Sequence, residues 1–116
     1  MRHKSKKITL DRAKAGRRAL MANLVESLIL YEKIKTTKAK ARATRSAIEK
    51  LITIAKKNNL AARRQISKTL YTKNAVKKLM EVYVPKYNET KGGCTRIITL
   101  KNRKGDGAEE AVVEFI

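Results

Sequence analysis

The stretch LMANLVESLILYEKIKTT, residues 20–37, decides the fold class. Leu20, Met21, Leu24, Val25, Leu28 and Tyr31 recur at spacings of three and four, which predicts one apolar face of a helix. Asn23, Glu26 and Ser27 fall on the opposite side, and Leu30 leaves the stripe near the helix end. Then the period changes. Lys33-Ile34-Lys35-Thr36-Thr37 alternates and is β-branched at three of its five positions, as a short half-buried strand requires, with Ile34 inward. A helix followed at once by a strand, each with one apolar face, calls for a second layer to cover both.

Upstream, the helix is expected to begin at Asp11 or Ala13, with Arg17 and Arg18 one turn before the stripe. Residues 1–9, MRHKSKKIT, carry Arg2, Lys4, Lys6 and Lys7, and Ile8 is their only sizeable apolar residue after the initiator Met. They read as an extended basic arm ordered on binding, attached to a single domain over 10–116.

Downstream, a second helix is predicted over 39–58 with Ala41, Thr44, Ile48, Leu51, Ile52 and Ala55 buried. Lys38, Lys40, Arg42, Arg45, Lys56 and Lys57 are left for its other faces, and Asn58-Asn59 breaks it. A third, over 60–70, turns Ala62, Ile66 and Leu70 inward and Arg63, Arg64 and Lys68 outward. The Thr72 hydroxyl is the expected cap of a fourth, whose stripe of Ala75, Val76, Leu79, Met80 and Tyr83 ends near Pro85. Beyond Pro85 the period is two. Segments 95–101 and 111–116, bounded by Gly92-Gly93 and Gly105-Asp106-Gly107, predict an antiparallel hairpin. The order α-β-α-α-α-β-β predicts a two-layer α+β domain, four helices packed on a small mixed sheet.

Charge narrows the partner. Among 116 residues, 29 Lys and Arg face 10 Asp and Glu, a formal charge of +19. Residues 1–78 hold 23 of those bases and four of the acids, so the whole excess lies there, while the rest of the chain is balanced. Such a surface repels itself unless a polyanion neutralises it. With 42% hydrophobic residues the chain can still bury a core. No apolar run approaches the roughly 18 residues of a membrane span, and no signal-peptide pattern follows the basic start, so a cytoplasmic protein without a membrane partner is expected.

Catalytic constellations are missing from the pattern. His3 is the only histidine and sits in the arm, where no general base could be held against a nucleophile. Glu109 and Glu110 are adjacent and point apart, and the glycines lack phosphate-loop context. The single Cys94 has no partner for a disulfide or a zinc site and reads as a small, half-buried filler. No enzyme, cofactor, metal or small-molecule substrate is expected. Four Tyr and one Phe are too few for a base-stacking sheet, and neither helix-turn-helix nor zinc-finger spacing occurs. The pattern points to a protein that grips a folded nucleic acid through its backbone. A nucleoid-type DNA binder would need a dimerisation stripe or a ribbon with an apolar wedge. A cationic membrane-surface protein would need one long amphipathic face. The sequence has none of these.

Short blocks carry a more specific signal. They are Met1-Arg2-His3-Lys4, Arg17-Arg18-Ala19-Leu20 with Asn23-Leu24, Ile34-Lys35-Thr36-Thr37 with Lys38-Ala39-Lys40, and Glu49-Lys50-Leu51-Ile52-Thr53 with Ala55-Lys56. Ala62-Arg63-Arg64, Gly92-Gly93 before Thr95-Arg96-Ile97, and Arg103-Lys104-Gly105-Asp106 follow. This ordered set, spanning the chain, resembles the bacterial large-subunit ribosomal protein seventeen family. The resemblance implies a structural component of the 50S subunit that binds 23S ribosomal RNA near the exit end of the peptide tunnel, beside other large-subunit ribosomal proteins. It also implies roles in RNA binding for Arg2, His3 and Lys4 in the arm, Arg17 and Arg18, Thr36, Thr37, Lys38 and Lys40 at the strand-to-helix junction, and Arg63 and Arg64. Lys6, Lys7, Arg12, Lys35, Arg42 and Arg45, basic residues of the same segments, complete the expected set. The chain departs from the family pattern at Lys7-Ile8, where Gly-Arg is usual, at Gly16 for His and at Cys94 for Tyr.

Overall fold

The computed structural model describes residues 8–116 of the chain. Helix α1 (Lys14–Tyr31) forms where its periodicity predicts, but it is turned by about one residue position, some 100°. Its buried residues are Ala22, Val25, Glu26, Leu28 and Ile29, whereas Leu20, Met21 and Leu24 are half-buried and Tyr31 is 74% exposed. The stripe is displaced because Glu26, which the period places toward solvent, is buried. Burying a carboxylate is costly unless donors meet it, and here they do: the backbone N–H groups of Tyr71 and Thr72 both donate to Glu26 Oε1, the second at 2.8 Å. Glu32 ends the helix in the left-handed region at φ 69°, its N–H returning to the Leu28 carbonyl.

Strand β1 (Lys33–Thr37) follows directly, and then α2 (Lys38–Ala55), which buries all six residues of its expected stripe and Ala43. After it, Asn58 takes a left-handed conformation at φ 48° and Asn59 caps α3 (Leu60–Thr69), its Oδ1 accepting the Ala62 N–H at 2.8 Å. The two asparagines thus end one helix and start the next. Ala62, Ile66 and Leu70 are buried as expected.

The fourth helix is α4 (Lys73–Lys78), continued by a π-helical segment (Leu79–Tyr83) and a last turn, α5 (Val84–Tyr87). Thr72 stands at the N-cap, but its hydroxyl makes no cap bond; Glu26 instead holds the Tyr71 and Thr72 amides that lead into the helix. The expected stop near Pro85 moves to Tyr87. Proline lacks an N–H and crowds the preceding turn, and the widened π turn just ahead of it gives its ring room within the helix. Tyr83, 1% exposed, stacks on Phe115 with ring centroids 4.1 Å apart and donates its hydroxyl to the Ile29 carbonyl at 2.9 Å.

Strands β2 (Thr95–Thr99) and β3 (Glu110–Phe115) form the expected hairpin. Among the described residues the sheet has three strands in the order β1-β3-β2, and it is antiparallel throughout, not mixed. The first and last-but-one strands do run in the same direction, but β3 lies between them and pairs with each. Ile34, Val113 and Ile97 align across the inner face, next to a row of Thr36, Ala111 and Thr99. This face packs on α1 and α2, Phe115 at its end stacks on Tyr83 and Tyr87 of the fourth helix, and Leu28, Ile48, Ile52, Leu79 and Val113 are among the residues fully buried in the core. The architecture is the two-layer α+β domain expected.

Candidate nucleic-acid interface

Basic residues of α1 and α2 meet because the core holds these helices side by side. Thr9 to Arg12 make a tight turn, Arg12 N–H to Thr9 carbonyl at 3.1 Å, with Leu10 and Asp11 both left-handed at φ 53° and 52°. Non-glycine residues adopt this conformation at some cost. The turn brings Ile8 and Leu10 over a groove of about 510 Å³ between α1 and α2. Met21, Ala43 and Ala47 are apolar parts of its lining, with Lys14, Arg17, Arg18 and Lys50 as its charges. A neighbouring recess shares Arg18, Met21 and Ala47 with this groove and adds Lys68 of α3, and another shares Ser46 and adds Arg42 and Arg45.

The result is a continuous cationic band. Among the described residues, Lys14, Arg17, Arg18, Arg42, Lys50 and Lys68 pair with no carboxylate, and Arg45 is 3.7 Å from Glu49 on its own helix. Neither α1 nor α2 has an acidic residue in its first turn or a side-chain cap. The dipole of α1 therefore favours an anion at its start, whereas in α2 the first amide, of Lys38, already donates to the Glu109 carbonyl at 2.8 Å.

The expected RNA-binding residues are not all in this band. Arg2, His3, Lys4, Lys6 and Lys7 lie outside the described residues, and with them most of the expected arm. Arg12 is exposed in the turn that leads into α1. Arg17, Arg18, Arg42 and Arg45 are brought together. At the junction, Thr37 caps α2 without using its hydroxyl and Lys40 is half-buried, while Thr36 sits in the row of the sheet that faces the core. Lys35 and Lys38 each lie 3.9 Å from a carboxylate, of Glu110 and Glu109 respectively. Arg63 and Arg64 are exposed on α3, where Arg63 lines a separate cleft with Tyr71 and Lys73. The groove and its neighbouring recess also hold Lys14, Lys50 and Lys68, which are not in the expected set. The signal was present for two of them: Lys14 stands four residues before Arg18, and Lys50 follows Ala43, Ser46 and Ala47 at helical spacing, so both belong to facing stripes.

Chemistry elsewhere is sparse. No group of three or more His, Cys, Asp or Glu among the described residues is placed to hold a metal ion. Cys94 is more deeply buried than expected, at 2% exposure, and burial pushes its thiol pKa up, Glu49 raising it further and Lys56 lowering it. No described helix is long and apolar enough to cross a membrane.

Comparison with known proteins adds a family. Residues 20–116 match the family model described as Ribosomal protein L17. The chain is 46% identical over 117 residues to the large ribosomal subunit protein bL17 of Hydrogenobaculum sp. (strain Y04AAS1), with all of this chain and 99% of that protein aligned. It is 44% identical to the protein of the same name from Sulfurihydrogenibium sp. (strain YO3AOP1), over all of this chain and 97% of the relative. With that of Chlorobium limicola it shares 47% over 107 residues, 92% of this chain and 71% of the relative.

Proposed function

Because the chain belongs to the L17 family of large-subunit ribosomal proteins, we propose that it is a structural, non-catalytic constituent of the bacterial 50S subunit that binds folded 23S ribosomal RNA. The observation that carries this reading is the cationic band of Lys14, Arg17, Arg18, Arg42, Lys50 and Lys68, none of which pairs with a carboxylate among the described residues; Glu49, the one acid lining these recesses, lies against Arg45. Phosphates of an RNA backbone supply that charge and release condensed counter-ions as they bind. Residues 1–9 act as an arm that adds Arg2, His3, Lys4, Lys6 and Lys7 to the contact, and 10–116 form the body. Arg12, Arg63 and Arg64 hold further phosphates, and Lys35, Thr36, Thr37, Lys38 and Lys40 contact RNA at the strand-to-helix junction. The family resemblance supports a position near the exit of the peptide tunnel, in the ribosome of the cytoplasm, and a part in subunit assembly. The charge-balanced C-terminal third is the side that meets neighbouring large-subunit proteins.

The test is sedimentation with 50S subunits through a high-salt wash, together with titration of purified 23S ribosomal RNA at several salt concentrations. Retention in the wash and a steep fall of affinity with salt are expected. Affinity that hardly changes between low and physiological salt would sink the proposal.

A further inference from the structure

A second cleft, of about 450 Å³, lies between α3 and the start of α4, and its lining differs in kind from the cationic groove. Leu70 and Val76, both buried, are its apolar residues. Tyr71 lines it with its side chain largely free, at 60% exposure. Arg63 and Lys73 stand on its rim and pair with no carboxylate among the described residues. Thr72 offers a hydroxyl that the cap of α4 leaves unused. The backbone under the ring is held from below. Glu26, only 9% exposed, accepts the N–H groups of both Tyr71 and Thr72, so α1 fixes the main chain from which the aromatic side chain projects.

An aromatic face held on a fixed backbone, flanked by two unpaired cations and a spare hydroxyl, has the parts of a nucleotide-binding site. Every base has a π-face to stack, and guanidinium and ammonium groups take the adjoining phosphates. A base inside an A-form duplex has both faces covered by its neighbours, so only an unpaired, splayed-out nucleotide can present one. The cleft lies within the size range of about 300–1,000 Å³ typical of small-ligand sites, which suits a single nucleotide. We propose that this cleft takes one unpaired nucleotide of the folded RNA, its base stacked on Tyr71, its flanking phosphates on Arg63 and Lys73, and a polar edge or sugar hydroxyl on Thr72. The inference rests on the RNA-binding reading above and adds a base contact to what is otherwise a grip on the backbone. The scarcity of aromatic residues in the sequence argued against stacking by a whole sheet; it leaves room for one ring in one cleft.

The experiment uses the full chain and purified 23S ribosomal RNA. Tyr71→Ala is expected to weaken binding about 5- to 150-fold, the range for losing one stacked base, without changing the salt slope. Tyr71→Phe, which keeps the ring, is expected to bring affinity back to within about twofold of the parent. Arg63→Ala and Lys73→Ala should each lower the log-log salt slope by close to one unit. In a Tyr71→Trp variant, the indole emission should be quenched on addition of the RNA. Unfolding midpoints of all variants, measured alongside, separate lost contacts from lost folding. If Tyr71→Ala binds the RNA as tightly as the parent, the inference is wrong while the RNA-binding reading stands. Normal RNA affinity with poor incorporation into 50S particles would mean that a protein neighbour fills the cleft, and would also overturn it. A parent chain that fails to bind 23S ribosomal RNA at all would refute the broader reading first.

Discussion

The carboxylate of Glu26, in the middle of α1, accepts the backbone N–H of Thr72 at 2.8 Å and that of Tyr71 as well, tying the first helix to the entry of the fourth. A capping group that normally comes from the local chain here comes from another helix. Glu26→Ala would leave two amides without their acceptor in a nearly closed site, and we expect it to destabilise the domain by roughly 2–4 kcal/mol. Glu26→Gln retains an acceptor oxygen and should cost about half as much. Urea unfolding of the two variants decides the matter, and equal losses would show that the carboxyl oxygen is not what holds the turn.

Tyr83 gives the stability a pH dependence. Burial, then the charge of Glu32 and the neighbouring Tyr87, push its phenol pKa well above the ordinary 10.0. The folded state therefore holds this proton more tightly than the unfolded chain does. Its contribution is fully present below pH 10 and is lost as pH rises from there toward the folded value. Tyr83→Phe should lose about 1 kcal/mol at neutral pH with the hydrogen bond to the Ile29 carbonyl. The gap between parent and variant should narrow above pH 10 in chemical unfolding. A constant gap would contradict the assignment.

Helix rotation separates two leucines that a simple stripe would treat alike. Leu51 is 5% exposed in the core, whereas Leu24 is half-buried. We expect Leu51→Ala to cost about 2–5 kcal/mol and Leu24→Ala about half of that, measured by thermal unfolding.

Across the expected RNA contacts, charge without a partner should matter more than charge already offset. Arg18→Ala and Lys50→Ala are each expected to reduce the salt slope of 23S ribosomal RNA binding by close to one unit. Lys35→Ala should change it less, since Glu110 stands 3.9 Å from that ammonium. Slopes that fall equally in all three would remove the distinction.

Cys94 should resist thiol reagents at neutral pH in the folded protein, since its sulfur is buried and held in the protonated form. Labelling at the rate of a free thiol, without denaturant, would show that the site opens far more readily than its packing implies.

How far the sequence could be read depended on whether a signal was local. The stripes of α2 and α3 were legible because each is a strong apolar period on a helix whose other faces are charged. The roles of Asn58 and Asn59 followed from their backbone chemistry. Where the reading failed, the cause was tertiary. Glu26 looks solvent-facing until its two amide partners, brought from beyond α3, are known, and moving that one residue inward turns α1. The hydroxyl of Thr72 makes no cap bond, and the same carboxylate holds the amides of Tyr71 and Thr72 just ahead of the helix. For the interface, Arg17, Arg18, Arg42 and Arg45 were legible as charges, but the groove exists only because two helices adjoin. Lys14 and Lys50 gain their place from that packing.

The central position of β3 has a consequence in time. Lys33 pairs with Glu114 and Thr37 with Glu110, so β1 has no strand to pair with until nearly the whole described chain has been made. At a synthesis rate of about 5–20 residues per second, an emerging chain carries β1 as an open edge for several seconds, while the intervening helices are already complete. Unpaired edges invite wrong pairings. The lysines of β1, Lys33 and Lys35, are suited to guard that interval: they keep other strands away by charge and meet Glu114 and Glu110 of β3 only when the correct partner arrives.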